Sequence, residues 1–282
     1  MDKTLQDAMA EHATYGTSVM LLVLITVLLG FVFTARRGRE LYVRRIPGVD
    51  AIREAVGRAT EMGKPVFFSI GLGGIDIVTL QALSIAGYVA RLAAKYGTKV
   101  IVPVVSAPVY PVAEQVLKEA YLAEGKPEAF SEDQVRFLSG EQFAYAAAYA
   151  GMMHREKAAA NLMFGLFYAE SLILAENGQS LGAIQVAGTV STTQIPFFIA
   201  TCDYTIIGEE YYATSAYLTR DPTLLGSLVG QDYAKLLTLL LVVGGVALAT
   251  LAALWPELAG FDMKQLSELY KGLFEFISPN GS

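Results

Sequence analysis

Residues Pro65–Asp76 read PVFFSIGLGGID, and the reading of this stretch decides the fold. The run from Pro65 to Ile70 follows a Gly63-Lys64 break and is apolar throughout except for Ser69. A short uninterrupted apolar run of that kind suits a strand buried on both faces. It leads directly into Gly71-Leu72-Gly73-Gly74-Ile75-Asp76, and Ile77–Tyr96 then carries apolar residues near helical spacing until Gly97. Glycine just past the last periodic residue is a helix stop. Strand, glycine-rich turn and helix in that order open an α/β fold.

The same alternation continues outward. Lys99–Val105 reads as a second strand, where Pro103 predicts an edge position or a bulge because proline cannot donate to a ladder. Pro111–Ala123 reads as a helix with proline in its first turn, and Gln134–Leu138 as a third strand. Glu141–Glu176 reads as one long Ala-rich helix broken near Gly151 or Gly165. Ala183–Ala187 and Tyr204–Ile207 read as further strands, with a helix around Pro196–Cys202 between them. Strands recurring with helices between them imply right-handed crossovers and a mostly parallel, Rossmann-like sheet.

Two charge-free apolar runs bracket this region, one between His12 and Arg36, the other between Lys235 and Glu257. Each supplies about 20 helical residues, enough to cross a hydrocarbon core. The expected organisation is an extracytoplasmic N-terminus (1–17), a first transmembrane helix (18–35), a cytoplasmic α/β domain (36–233), a second transmembrane helix (236–256) and an extracytoplasmic amphipathic tail (257–282). Orientation follows from Arg36, Arg37, Arg39, Arg44 and Arg45, against a single Lys3 ahead of the first span. Such a flank stays on the cytoplasmic side, which predicts a two-span protein of the cytoplasmic (inner) membrane. A cleaved signal peptide would need a basic leader and a shorter apolar stretch, and neither is present.

Composition agrees: 54% of residues are apolar and 17% charged, and the charges lie almost entirely outside the two runs. A net charge of −6 argues against nucleic acid as a partner, since phosphate binding needs a clustered basic face. The expected partners are the lipid bilayer, further copies of the chain and other membrane proteins. Gly245, Ala249 and Ala253 place small residues on one face of the second span, a pattern that favours close helix packing. Beyond it, Leu266, Leu269, Tyr270, Leu273, Phe274 and Ile277 form an apolar stripe suited to a membrane surface or another copy.

In an open parallel sheet, ligands bind beyond the carboxyl ends of the strands. The candidate binding residues there are Ser69, Gly71, Gly73, Gly74 and Asp76 after the first strand and Ser106 after the second. Thr189, Ser191, Thr192 and Thr193 follow a later strand, and Glu209 follows the last. They are small or hydrogen-bonding residues close to helix N-termini, where anions are favoured. Each also has a structural role to compete with: Asp76 and the Thr189–Thr193 cluster are good N-caps, and glycines serve strand-to-helix turns. Gly71-Leu72-Gly73-Gly74 lacks full G-x-G-x-x-G spacing and has no Walker lysine. Asp203 is the lone carboxylate between Ala183 and Gly208, as consistent with burial beside a partner as with catalysis.

Conventional hydrolytic chemistry has little to work with. The chain has one cysteine, Cys202, and two histidines, His12 and His154, so a standard zinc site is not expected and no metal ligands are assigned. There is no Gly-x-Ser-x-Gly elbow. No catalytic residue and no cofactor can be assigned.

Two resemblances add to this. Phe197–Asp203 with Leu225-Gly226-Ser227-Leu228 is similar to a segment of membrane-bound serine proteases of the signal-peptide-peptidase and Clp type, with Gly73-Gly74 in the place of oxyanion glycines. Those families put a nucleophilic serine before two glycines ahead of that helix, where this chain has Thr193-Gln194-Ile195-Pro196. Ile207–Leu218, continuing to Leu225–Asp232, resembles a family of uncharacterised prokaryotic two-span membrane proteins known as a domain of unknown function. That resemblance implies an anchor, an α/β domain and a second span, and no activity. The expectation is a membrane-anchored module that binds a ligand or scaffolds an oligomeric assembly. Its alternatives are an enzyme acting on a nucleotide or phosphorylated small molecule, and a transporter or channel subunit.

Overall fold

The computed structural model describes residues 15–37 and 46–254. The chain divides into two compact units, an α/β unit spanning Arg44–Arg220 and a helical unit made from the segments on either side of it.

The α/β unit opens with helix α2 (Pro47–Met62). Strand and helix then alternate as β1 (Val66–Gly71), α3 (Ile77–Tyr96), β2 (Val100–Val104), α4 (Tyr110–Ala123), β3 (Val135–Phe137) and α5 (Gln142–Glu156). The second half runs β4 (Ala160–Leu166), α6 (Glu170–Ser180), β5 (Ile184–Thr189), α7 (Ile195–Thr201), β6 (Tyr204–Ile207) and α8 (Glu209–Thr219). All six strands are parallel, in the order β3-β2-β1-β4-β5-β6. The expectation of a mostly parallel α/β sheet is met.

Alternation along β1 feeds two separate cores. Val66, Phe68 and Ile70 pack with α2, α3, α4 and α8, while Phe67 packs with α5, α6 and α7. With both faces covered, the strands favour apolar residues on either face, hence the run at Pro65–Ile70, apolar but for Ser69.

Two expectations are corrected. The single helix over Glu141–Glu176 is α5, then β4, then α6. Lys157 takes a left-handed conformation (φ 55°) and closes α5, and Ala158–Gly165 runs buried through the middle of the sheet. Alanine-rich sequence favours helix by propensity, but an apolar run of this length fits a buried strand equally well and only burial on both faces separates the two. Pro103 does not mark an edge, because β2 lies between β3 and β1. The β1–β2 pairing covers Val66↔Val100 and Phe67↔Ile101 and stops short of Pro103, so the missing N–H leaves no gap in that ladder.

The helical unit pairs α1 (Tyr15–Arg36) with α9 (Pro222–Leu254). The pair is antiparallel: the Arg36 guanidinium donates to Thr223 Oγ1 at 3.3 Å, a Cβ on Gly226 would stand 2.6 Å from Val32 Cα, and Tyr233 stacks on Phe31 with centroids 4.6 Å apart. Gly226-x-x-x-Gly230 thus lets the two backbones approach closely. The 22 residues of α1 reach about 33 Å at 1.5 Å per residue. Helix α9 is long and apolar enough to cross a membrane. By length and composition α3 is too, yet half of it is buried inside the α/β unit, as a core helix requires. Gly245, expected on an intermolecular face, is buried within the chain. The side chains of Ala249 and Ala253, the arginines Arg39, Arg44 and Arg45, and the tail 257–282 lie outside the described residues.

Candidate functional site

The order β3-β2-β1-β4-β5-β6 reverses direction between β1 and β4, and the helices that follow these strands, α3 and α6, go to opposite faces of the sheet. In open parallel sheets this switch point is where ligands bind. Here the two strand ends stay zipped together. Gly71 (φ 74°) and Gly165 (φ 143°) face one another's strands, and a Cβ on either would strike Leu166 O or Ile70 O. Leu72 N–H then donates to Leu166 O at 2.8 Å, so any ligand must sit above this bond, among the loops.

The β1–α3 loop supplies one wall. Gly74 is exposed with open space where a side chain would be, whereas Gly73 is buried and a Cβ there would collide with Thr79 Oγ1 and lie 2.9 Å from Asp76 Oδ2. Asp76 is the N-cap of α3: its Oδ1 accepts from Thr79 N–H at 2.8 Å. It occupies the position that G-x-G-x-x-G would give to a third glycine. Thr79 itself is 1% exposed, and its Oγ1 has no hydrogen-bond partner among the described residues.

The other expected residues fall at four places. Ser69 is not at the rim: it is buried, in hydrogen-bond contact with Tyr145 Oη at 3.0 Å, and its Oγ accepts from Gly71 N–H at 3.3 Å. Ser106 lies at the end of the neighbouring strand, where its carbonyl accepts from Val109 and Tyr110. Thr189 ends β5 and is buried, its Oγ1 accepting from Ser191 N–H at 3.2 Å, with Ser191 and Thr193 hydroxyls 3.0 Å apart and Thr192 exposed. Glu209 opens α8 beyond the edge strand β6. At about 4.8 Å between strands, Thr189 stands about 10 Å and Glu209 about 14 Å from the end of β1. Gly71–Asp76 and Ser106 are therefore neighbours, and Glu209 is on a far flank.

The sequence reading missed a buried polar layer on the α5–α6 side. Where the β1–β2 ladder ends, Tyr145 bridges the two strands, donating to Pro103 O at 3.3 Å while contacting Ser69. Glu170, the first residue of α6, is 0% exposed: Oε1 accepts from Tyr168 N–H at 2.9 Å and Oε2 from Gln142 Nε2 at 2.5 Å. Burial above all, with a push from the Glu170 carboxylate and against the Ser69 bond, holds the Tyr145 hydroxyl well above its usual range. Deeper in, Tyr149 Oη donates to Asn161 Oδ1 at 2.9 Å, and Asn161 Nδ2 donates to Gln185 Oε1 at 2.9 Å. The signal was available, since Glu170 is the only charged residue between Lys157 and Glu176. It was masked by the reading of that stretch as one helix.

Asp203 is structural. Its exposed carboxylate accepts from Gln185 N–H at 2.8 Å and ties β6 to β5. Burial pushes the Cys202 thiol up to about 12, against a weak bond from Thr201 and with a further push from Asp203. His154 sits in the last turn of α5, at the opposite edge, near Asn177 Oδ1 at 3.1 Å. At that amino edge a cleft of about 230 Å³ is lined by Thr98, Lys99, Tyr121, Asp133 and Gln134 among others. Its polar groups satisfy one another: Lys99 bonds Asp133 at 2.7 Å, Gln134 bonds Tyr121 at 2.9 Å, and Thr98 bonds Thr60. These groups are engaged with one another, and sheet topology makes the carboxyl edge the better candidate. Among the described residues no three His, Cys, Asp or Glu side chains come together as a metal site.

Fold and edge together define the class: a doubly wound parallel α/β domain with the strand order of nucleotide-binding folds, flanked in sequence by two apolar helices. Within that class, the chain belongs to the family described as a domain of unknown function, DUF6754, whose model matches residues 6–258. No curated protein and no solved structure matches it.

Proposed function

We propose that this chain is a membrane-anchored α/β module that binds a small ligand among the loops at the carboxyl edge of its sheet. In this reading α1 and α9 hold it in the inner membrane, the α/β unit faces the cytoplasm, and copies associate within the bilayer. The observation that carries it is the strand reversal at β1/β4 with the glycine turn Gly71–Asp76 directly beside it. Parallel sheets of this order place their ligands at that point regardless of chemistry, which supports a site without naming a reaction. Arg36 and the arginines after it support the orientation.

The test uses the full chain in mild detergent, screened by thermal shift against small metabolites. Gly74→Val projects a side chain into open space at the rim, so a ligand at this site loses its shift in the variant while the variant's own melting temperature stays put. A full metabolite screen with no shift sinks the site reading. Reporter fusions at Ser180 and Ser282 are expected on opposite sides of the membrane, and the same side for both rejects the topology. For association, a cysteine replacing the exposed Leu240 of α9, with Cys202 removed, should cross-link in native membranes. A wholly monomeric pattern removes the oligomer.

A further inference from the structure

The loops that follow the six strands, Leu72–Asp76, Val105–Val109, Leu138–Glu141, Phe167–Ala169, Val190–Gln194 and Gly208, contain no lysine, arginine or histidine. Nor do the first turns of the helices they lead into, α3 to α8. The charges these segments carry are all carboxylates: Asp76, Glu141, Glu170, Glu209 and Glu210. Each of the two helix N-termini at the switch point, which would cradle a phosphate, carries one of the chain's own carboxylates. Asp76 caps α3, and Glu170 accepts the Tyr168 N–H at the start of α6. A phosphate brought to either end would meet a fixed negative charge in the place where it needs a donor.

A second observation points to a ligand. Thr79 Oγ1 is buried without a partner among the described residues and faces Gly73, beside the Asp76 oxygen that the cap does not use. Buried polar groups are almost always paired, so an orphan in a loop of this kind calls for something that completes it. Gly74, next in the loop, is exposed with open space where a side chain would stand.

We infer that the crevice selects a ligand carrying a protonated amine, which donates N–H bonds to Asp76 Oδ2 and Thr79 Oγ1 beside Gly73, and that it rejects phosphates and nucleotides. The inference rests on the carboxyl-edge site proposed above. It replaces a nucleotide or phosphorylated substrate with a cationic one.

The experiment compares spermidine and phenethylamine with inorganic pyrophosphate, AMP and ribose, each as a single probe against the full chain in non-ionic detergent, by thermal shift and calorimetry. An amine probe is expected to bind, with affinity about tenfold or more weaker in Asp76→Asn, since a charge-assisted bond is lost. Asparagine caps a helix as well as aspartate, so this variant keeps the fold. Thr79→Val should weaken amine binding too, and Gly74→Val should abolish it. Amine binding that survives Asp76→Asn or Gly74→Val is surface attraction and overturns the inference. Binding of pyrophosphate, AMP or ribose that Gly74→Val abolishes also overturns it, yet leaves the crevice standing as the site. Silence from every probe overturns the inference, while the crevice then stands or falls on the metabolite screen.

Discussion

Thr79→Val should make the unliganded protein more stable, although it deletes a polar group from the start of a helix. Threonine and valine have the same branched shape, so little changes in packing or helix propensity. What changes is the hydroxyl, which is buried at 1% exposure with no partner among the described residues. An unsatisfied buried hydroxyl costs about 1–3 kcal/mol, and removing it recovers part of that, about 1 kcal/mol net after allowing for imperfect contacts of the new methyl beside Gly73. For a unit the size of Arg44–Arg220, 1 kcal/mol corresponds to about 2–4 °C in melting temperature. Thr79→Ser is the control: it keeps the hydroxyl and loses a methyl, so it should lower stability by about 0.8 kcal/mol. The assay is thermal melting of the full chain in detergent, followed by far-UV circular dichroism without added ligand. If Thr79→Val lowers stability by about 1 kcal/mol while Thr79→Ser is neutral, the hydroxyl is bonded in the free protein, and both the orphan and the inference built on it are refuted.

Neighbouring glycines should behave oppositely: Gly73→Ala collides with Thr79 and Asp76 and should cost about 1–3 kcal/mol, whereas Gly74→Ala meets nothing and should stay within about 0.5 kcal/mol, both read from melting curves. Asn161→Ala removes the partners of Tyr149 Oη and Gln185 Oε1 at a 0% exposed position and should cost about 2–5 kcal/mol in denaturant unfolding. Gly226→Leu drives a side chain into Val32 and should separate α1 from α9, read as lost cross-linking between cysteines placed at Phe31 and Tyr233. With its thiol held up near 12, Cys202 should resist maleimide at about pH 8 and react only as the pH climbs toward that value, while a cysteine at exposed Gly74 labels at once.

Much of this molecule is legible in its residues. Strands covered on both faces favour apolar side chains on either face, so Pro65–Ile70, apolar but for Ser69, announces itself, and the glycine after Tyr96 ends α3 as read. The Asp76 cap was also readable, because aspartate one residue ahead of a helical run has a local reason to be there. By contrast, β4 was hidden. Ala158–Leu166 has helix-forming composition and strand-length apolarity together, and which wins is decided by neighbours more than 50 residues away in the chain, such as β1 at Val66↔Ala160. Because β4 was missed, the switch point was missed, and with it Glu170.

The division follows the range of the forces involved. Sequence alone determined most of the alternation, the Asp76 cap and the two membrane-length apolar runs, because hydrophobic period, capping and transfer into lipid act over a few residues at a time. Tertiary structure alone decided the strand order, the burial of Ser69 against Tyr145, the burial of Glu170 and the orphan hydroxyl of Thr79. Whether a polar group is rim or core, paired or orphaned, depends on which distant segment folds over it, and no local pattern carries that information.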